Sequence, residues 1–307
     1  MQNIFMFGVS LFLVVKGATL ATKYAALLAE SFRLSKYVVG FIVVAVISIL
    51  PETFIAVNSA FIGTPSFGLA TLFGSNVADL TLVFAIVIAL AGRGMKIESA
   101  ILKHTNAYPF LLLLPLVLGF DGYYSRIEGV ALIIAGAAFY YIAFKNGTIG
   151  APTRHTGDRG KHFLFLLLGM AVLLIGAHVT VVSATALAID LGVNPMLIGM
   201  LVVGLGTTMP ELFFSLKSVK KHVDSLAIGD ILGTVLADAT VVVGVLAVIS
   251  PFYFPQKIIF VTGAFMVAAS LLLLFFMRSG RFLSKKEGYL LLFFWVIFVF
   301  VEFVANT

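Results

Sequence analysis

An all-α polytopic membrane protein, ten transmembrane helices arranged as two inverted five-helix repeats, is the fold this sequence predicts, and three observations predict it. Its 307 residues are 61% hydrophobic and 11% charged, with a mean hydropathy of +1.12, well outside the range of soluble domains. Apolar stretches of about 20 residues, enough to cross a hydrocarbon core, recur along the whole chain. The sequence also matches itself without a gap at a shift of 159 positions, the separation of Glu52 and Glu211.

The predicted spans lie near 3–29, 37–62, 66–91, 101–119, 126–145, 163–189, 194–216, 225–249, 256–277 and 286–305. The first lacks the basic start and small-residue cleavage site of a signal peptide, so it counts as a structural helix. The stretch "GTIGAPTRHTGDRGKH" at 147–162 is the predicted connector between a first repeat, 1–146, and a second, 163–307. The absence of cysteine excludes disulfides and thiolate metal sites.

A net charge of +6 would suggest nucleic acid in a soluble protein, but here the distribution of charge speaks for topology. Sixteen of the twenty Lys and Arg fall near alternate loops, around 33–36, 93–103, 145–161, 217–221 and 278–286, while the opposite loops hold only Arg126 and Lys257. The positive-inside rule places the connector in the cytoplasm and both termini outside the cell membrane. The expected partners are lipid and inorganic cations, with no nucleic acid and no organic cofactor.

The internal match is carried by its polar residues. Gly17-Ala18 falls on Gly176-Ala177, Ser48 on Thr207, Pro51-Glu52 on Pro210-Glu211, Gly74-Ser75 on Gly233-Thr234, and Asp79 on Asp238. Greasy helices match by chance at Leu and Val, not at two Pro-Glu pairs and two aspartates in one register. Five spans is an odd number, so the second half enters the membrane from the opposite side, as in the inverted repeats of secondary transporters.

Within that repeat, "VAVISILPETFIA" sets a helix breaker and a charge in a membrane span. Proline lacks an N–H and clashes with the preceding turn, so the second and seventh spans are predicted to break at Pro51 and Pro210, freeing backbone carbonyls. Irregular backbone at membrane depth survives only inside protein or around a wet cavity. A carboxylate there costs at least ~2.5–3.5 kcal/mol without a partner. Freed carbonyls with Glu52 and Glu211 therefore point to a cation site, and Ser48 and Thr207, one turn earlier on the same face, add hydroxyl oxygens.

The next span of each half carries one polar stripe: Thr71, Ser75 and Asp79 in "TLFGSNVADL", and Asp230, Thr234 and Asp238 in "GDILGTVLADA". Ser, Thr and Gly there serve packing as readily as ligation, and Gly74, Gly233, Gly63 and Gly229 favour close helix contact. The mid-span carboxylates Asp79 and Asp238, recurring by symmetry, point to function. Oxygen ligands without Cys or His favour hard cations. Ca²⁺ accepts six to eight oxygens in adaptable geometry, whereas Mg²⁺ sheds water reluctantly and Zn²⁺ or Cu prefers His and Cys. Calcium is the expected cargo, with Na⁺ or H⁺ as its counter-ion.

The segments "GLGTTMPELFFS" with "GDILGTVLADAT", and "VAVISILPETFIA" with "ATLFGSNVAD", resemble the two alpha-repeats of the sodium/calcium exchangers in the calcium/cation antiporter superfamily. The resemblance covers essentially the whole chain. It implies ten helices, alternating access, and a central site where Glu52 and Glu211 bind Ca²⁺ and Na⁺ in turn. It further implies ligation by Ser48, Thr207, Thr208, Ser75 and Thr234 and by the carbonyls of Ala45 and Gly204, and first and sixth helices that slide against the bundle.

Three features depart from the family pattern. Ile49 stands where Thr208, its repeat mate, keeps a hydroxyl, which weakens one expected sodium position. Asp79 and Asp230 stand where Asn is usual; crowded carboxylates cannot all stay ionised without cations, which favours protons as the counter-ion. Lys16, matched by Ile175, either reaches the membrane surface with its ammonium or pairs with an acid of the site as a tethered cation. Glu302, without an acidic mate, reads as interfacial. An intramembrane aspartyl protease is disfavoured because "LAIGD" lacks the Gly-x-Gly-Asp signature, and a channel because inverted repeats with broken helices suit alternating access.

Overall fold

The computed structural model describes residues 2–30, 45–97, 107–145, 159–190, 192, 199 and 203–306. Parts of the predicted spans 37–62, 101–119 and 194–216, and most of the connector, lie outside the described residues. The first half contains α1 (Gln2–Glu30), α2 (Ala45–Ser48), α3 (Leu50–Ile62), α4 (Pro65–Ala91), α5 (Tyr108–Leu118) and α6 (Arg126–Lys145). The second contains α7 (Arg159–Asp190), α8 (Gly204–Thr207), α9 (Met209–Lys220), α10 (Asp224–Ile249), α11 (Ile258–Gly280) and α12 (Lys285–Asn306). Among the described residues α4, α6, α10, α11 and α12 are long and apolar enough to cross a membrane.

Burial sorts these helices. In α4 and α10 the most apolar window is 83% buried, in α12 only 22%, so α4 and α10 form the centre while α12 turns Tyr289, Phe293, Phe300 and Phe303 outward. An apolar exterior of this kind is what lipid requires of a spanning helix.

The 159-residue repeat recurs in local structure. The short helices α2 and α8 correspond residue for residue. So do one-turn π-helical segments inside α4 and α10, Asp79–Val83 and Asp238–Val242. In each, a threonine bonds back to the preceding turn: Thr81 Oγ1 donates to the Val77 carbonyl at 2.5 Å and Thr240 Oγ1 to that of Leu236 at 2.6 Å. Such a hydroxyl competes with the backbone ladder, and π-turns of this kind concentrate at functional sites. Both begin on an aspartate of the polar stripe.

Helix starts repeat as well. Ser125 and Ser284 open α6 and α12 with capping boxes: Glu128 and Glu287 accept from the serine N–H at 2.8 and 2.6 Å, and each serine hydroxyl accepts from the glutamate N–H at 3.3 Å. The α3–α4 turn uses Gly63 at φ 87°, and the matching α9–α10 turn places His222 at φ 59°. Gly63 thus serves as a left-handed cap rather than the packing residue its position suggested.

The corresponding helices α4 and α10 run antiparallel. At one end Arg93, just past α4, donates to both oxygens of Asp224 at the start of α10, at 2.8 and 2.5 Å; Arg93 also donates to the Val219 carbonyl of α9. At the other end Ser66 of α4 donates to the carbonyl of Tyr253, beyond α10, at 3.1 Å. Two small ribbons tie the halves together: β1 (Met95–Lys96) with β4 (Phe282–Leu283), and β2 (Tyr123–Tyr124) with β3 (Phe252–Tyr253). Among the described residues the matched helices of the two halves thus run in opposite senses.

The breaks differ in detail from expectation. The helices are interrupted at Ile49 and Thr208, two residues before each proline. Pro51 occupies the first turn of α3, where a missing N–H costs nothing. Ile49 N–H still donates to Ala45 and Thr208 N–H to Gly204, at 3.0 and 3.2 Å, and Thr53 and Leu212 donate in turn to Ile49 and Thr208, so the backbone ladder is carried across each interruption.

Candidate ion-binding site

The two broken helices and the two polar stripes meet in the middle of the molecule. Glu52 (α3), Glu211 (α9), Asp79 (α4), and Asp230 and Asp238 (α10) are all buried, none more than 1% exposed. They lie within electrostatic reach of one another: Glu211 of Glu52, Asp79 and Asp230, and Asp238 of Glu52 and Asp79. Both carboxylate oxygens of Glu52, Glu211, Asp79 and Asp238 lack a hydrogen-bond partner, as does Asp230 Oδ2. Buried polar atoms are nearly always paired, so nine orphaned oxygens in one cluster mark where something else must bind.

Ser48 joins the halves by donating to Asp230 Oδ1 at 3.0 Å. Thr207 lies beside Glu52 but donates to the Gly204 carbonyl at 2.9 Å; Thr208 donates to Leu205 and Ser75 to Leu72, each at 3.0 Å. A hydroxyl that has given its hydrogen to the backbone presents only lone pairs, the form in which it can face a cation. The hydroxyl of Thr234 is buried and unpaired. Gly204, where a Cβ would stand 3.1 Å from the Ser75 N–H, brings α8 directly against α4. Its carbonyl already accepts from Thr208 N and Thr207 Oγ1, whereas that of Ala45 accepts from Ile49 N.

Among the described residues no three His, Cys, Asp or Glu side chains converge tightly enough to hold a metal by themselves. The oxygens gathered here are carboxylates with hydroxyls and carbonyls, the donor types hard cations accept. Thr71, the remaining stripe residue, bonds back to Phe67 at 2.9 Å.

Three buried groups escaped the sequence reading. Ser215 and Thr53 have unpaired hydroxyls, and Asn76 donates to Met266 Sδ at 3.4 Å while its Oδ1 is unpaired. Ser215 follows Glu211 by one turn, a spacing that could have revealed it. Lys16 is outside the cluster; its side chain turns to the surface, with Nζ 5.3 Å from the Phe12 ring centroid. Glu302 is turned inward: it is 1% exposed and accepts from Thr262 at 2.5 Å, because its face of α12 packs toward the opening turn of α11.

Comparison with known proteins decides the class. The family profile described as sodium/calcium exchanger protein matches residues 2–145 and again 161–304. The chain belongs to the sodium/calcium exchanger family. Among relatives, the sodium/calcium exchanger MaX1 of Methanosarcina acetivorans is 25% identical over 350 residues, 98% of each chain. The putative antiporter CaxA of Alkalimonas amylolytica is 28% identical over 303 residues, covering 92% of this chain and 93% of that one. The fold matches the sodium-calcium exchanger NCX_Mj soaked with 2.5 mM Na⁺ and 0.1 mM Ca²⁺, with a TM-score of 0.73 at 24% identity over 97% of both chains. For this exchanger family member, the repeat accounts for the buried acidic cluster: the two matched halves bring two Pro-Glu segments together.

Proposed function

We propose that this exchanger moves Ca²⁺ against H⁺ by alternating access, binding the cations in turn at Glu52, Glu211, Asp79, Asp230 and Asp238 with help from Ser48, Thr207, Thr208, Ser75, Thr234 and the carbonyls of Ala45 and Gly204. The observation that carries the reading is the set of orphaned, buried carboxylate oxygens. A low-dielectric site with several acids is tolerable only if cations or protons neutralise it. Sodium is the second reading, supported by the four hydroxyls whose hydrogens are turned away or unpaired, those of Thr207, Thr208, Ser75 and Thr234.

Purified protein in proteoliposomes is expected to accumulate Ca²⁺ only when an opposing cation gradient is imposed. Steady unitary currents in a planar bilayer would instead identify a channel, and absence of Ca²⁺ flux under either gradient would overturn the reading.

The same reading places the α9–α10 turn in the cytoplasm and the α3–α4 turn outside. The chain has no cysteine, so single replacements report cleanly. A cysteine at His222 is expected to react with an impermeant maleimide from the cytoplasmic side only, and one at Thr64 from the outside only. Labelling of both from one side would contradict this orientation.

A further inference from the structure

The two halves of the ion site are not equally supported. Tyr108 of α5, 1% exposed, donates to the Leu232 carbonyl at 2.9 Å, and Tyr140 of α6 donates to that of Gly233 at 2.5 Å. These are consecutive carbonyls of α10, immediately before Thr234 and between Asp230 and Asp238. Their repeat mates in α4 are Phe73 and Gly74, and the residues that match the two tyrosines are Val267 and Val299. A valine side chain has no hydrogen to donate, so these two matched positions hold no equivalent pins.

Packing follows the same asymmetry. α6 runs antiparallel to α10 at backbone contact: a side chain at Gly129 would meet the Gly244 carbonyl, one at Gly244 the Gly129 carbonyl, and one at Gly136 the Thr240 hydroxyl. This close approach, of the kind small residues permit between membrane helices, continues to Tyr140 at the level of the site. The corresponding pair, α12 on α4, is looser. A Cβ at Gly288 would meet Ile88 only at ordinary van der Waals distance, and a groove of about 150 Å³ bounded by Ala85, Ile88, Gly288 and Leu292 lies between the helices. Trp295 replaces Gly136 in that half.

We propose that Tyr108 and Tyr140 are positioning residues for ion binding: through the Leu232 and Gly233 carbonyls they fix the turn of α10 that presents Asp230, Thr234 and Asp238, and so set the affinity and size preference of the site. The inference rests on the exchange reading above. Selectivity among hard cations depends on how rigidly the ligands are held, and a phenol bonded to a carbonyl restrains the helix without touching the ion. The carbonyls also sit within a regular helical ladder, so losing the phenol hydrogen loosens α10 without unfolding it.

Tyr108→Phe and Tyr140→Phe keep the ring and remove only the donor. Each is expected to raise the KM for Ca²⁺ in proteoliposomes about fivefold, the usual size of one lost hydrogen bond, with maximal rate nearly unchanged and with larger Sr²⁺ competing better than in the wild type. Tyr124→Phe is the control. Tyr124 donates to the Pro115 carbonyl at 2.6 Å, well away from the acids, and its loss should lower the melting temperature while leaving KM and Sr²⁺ competition alone. Unchanged KM in both site variants, or changes in rate, KM and melting temperature that parallel those of Tyr124→Phe, would overturn the proposal. A wild-type chain that carries no Ca²⁺ would overturn the exchange reading and this one together, whereas normal wild-type transport with unaltered variants overturns this one alone.

Discussion

Glu52→Gln and Glu211→Gln are each expected to abolish measurable Ca²⁺ flux while leaving a folded, membrane-inserted protein. Glutamine keeps the shape of the side chain but removes a charge that balances the divalent ion. Both glutamates are almost wholly buried, their oxygens have no protein partner, and each faces several other acids. Removing one partner from a buried charge-balanced group costs about 3–5 kcal/mol, roughly 10²- to 10⁴-fold in affinity. The amide also relieves repulsion among the clustered acids, so the variants are expected to melt no lower than the wild type. Radioactive Ca²⁺ uptake beside a melting curve separates the two effects. Uptake at the wild-type rate by either variant would remove that glutamate from the site.

Coupling has the second largest expected effect. Ca²⁺ movement is expected to persist in sodium-free medium and to follow an imposed pH gradient. Three aspartates stand with the two glutamates, and Ile49 offers no hydroxyl where Thr208 does. Protons and Ca²⁺ compete for the same carboxylates, which sets the sign: lowering pH on both sides weakens Ca²⁺ transport, and raising it restores transport. Asp79→Asn should blunt this pH response more than it reduces Ca²⁺ binding, and Ile49→Ser should introduce or strengthen a sodium dependence. An absolute sodium requirement together with indifference to a pH gradient would reverse the assignment and leave Thr207, Thr208, Ser75 and Thr234 as the sodium ligands.

Other residues could not be told from structural ones by hydropathy alone. Tyr108 and Tyr140 read as ordinary aromatic members of apolar spans, and Glu302 as a charge near a helix end. Each is distinguished only by a distant segment that packs against it. Tyr108 reaches a carbonyl 124 residues away, Tyr140 one 93 residues away, and Glu302 meets a threonine 40 residues earlier. No local period carries such information.

What the sequence by itself determined was the class and the chemistry. Hydrophobicity dictated a membrane bundle because lipid leaves backbone groups no partner except a helix. The Pro-Glu pairs and aspartates, repeated in one register, identified the acids, because unpaired charge at membrane depth is too costly to keep twice without use. Only the tertiary structure decided which oxygens remain unpaired, where the helices break, and which half of the site is held. Those properties depend on how α4 and α10 run past each other and how closely α6 and α12 approach them. The approach is governed by single atoms, a hydrogen in place of a side chain at Gly129 and Gly244 and a phenol hydrogen on Tyr140, within halves whose hydrophobic pattern is nearly the same.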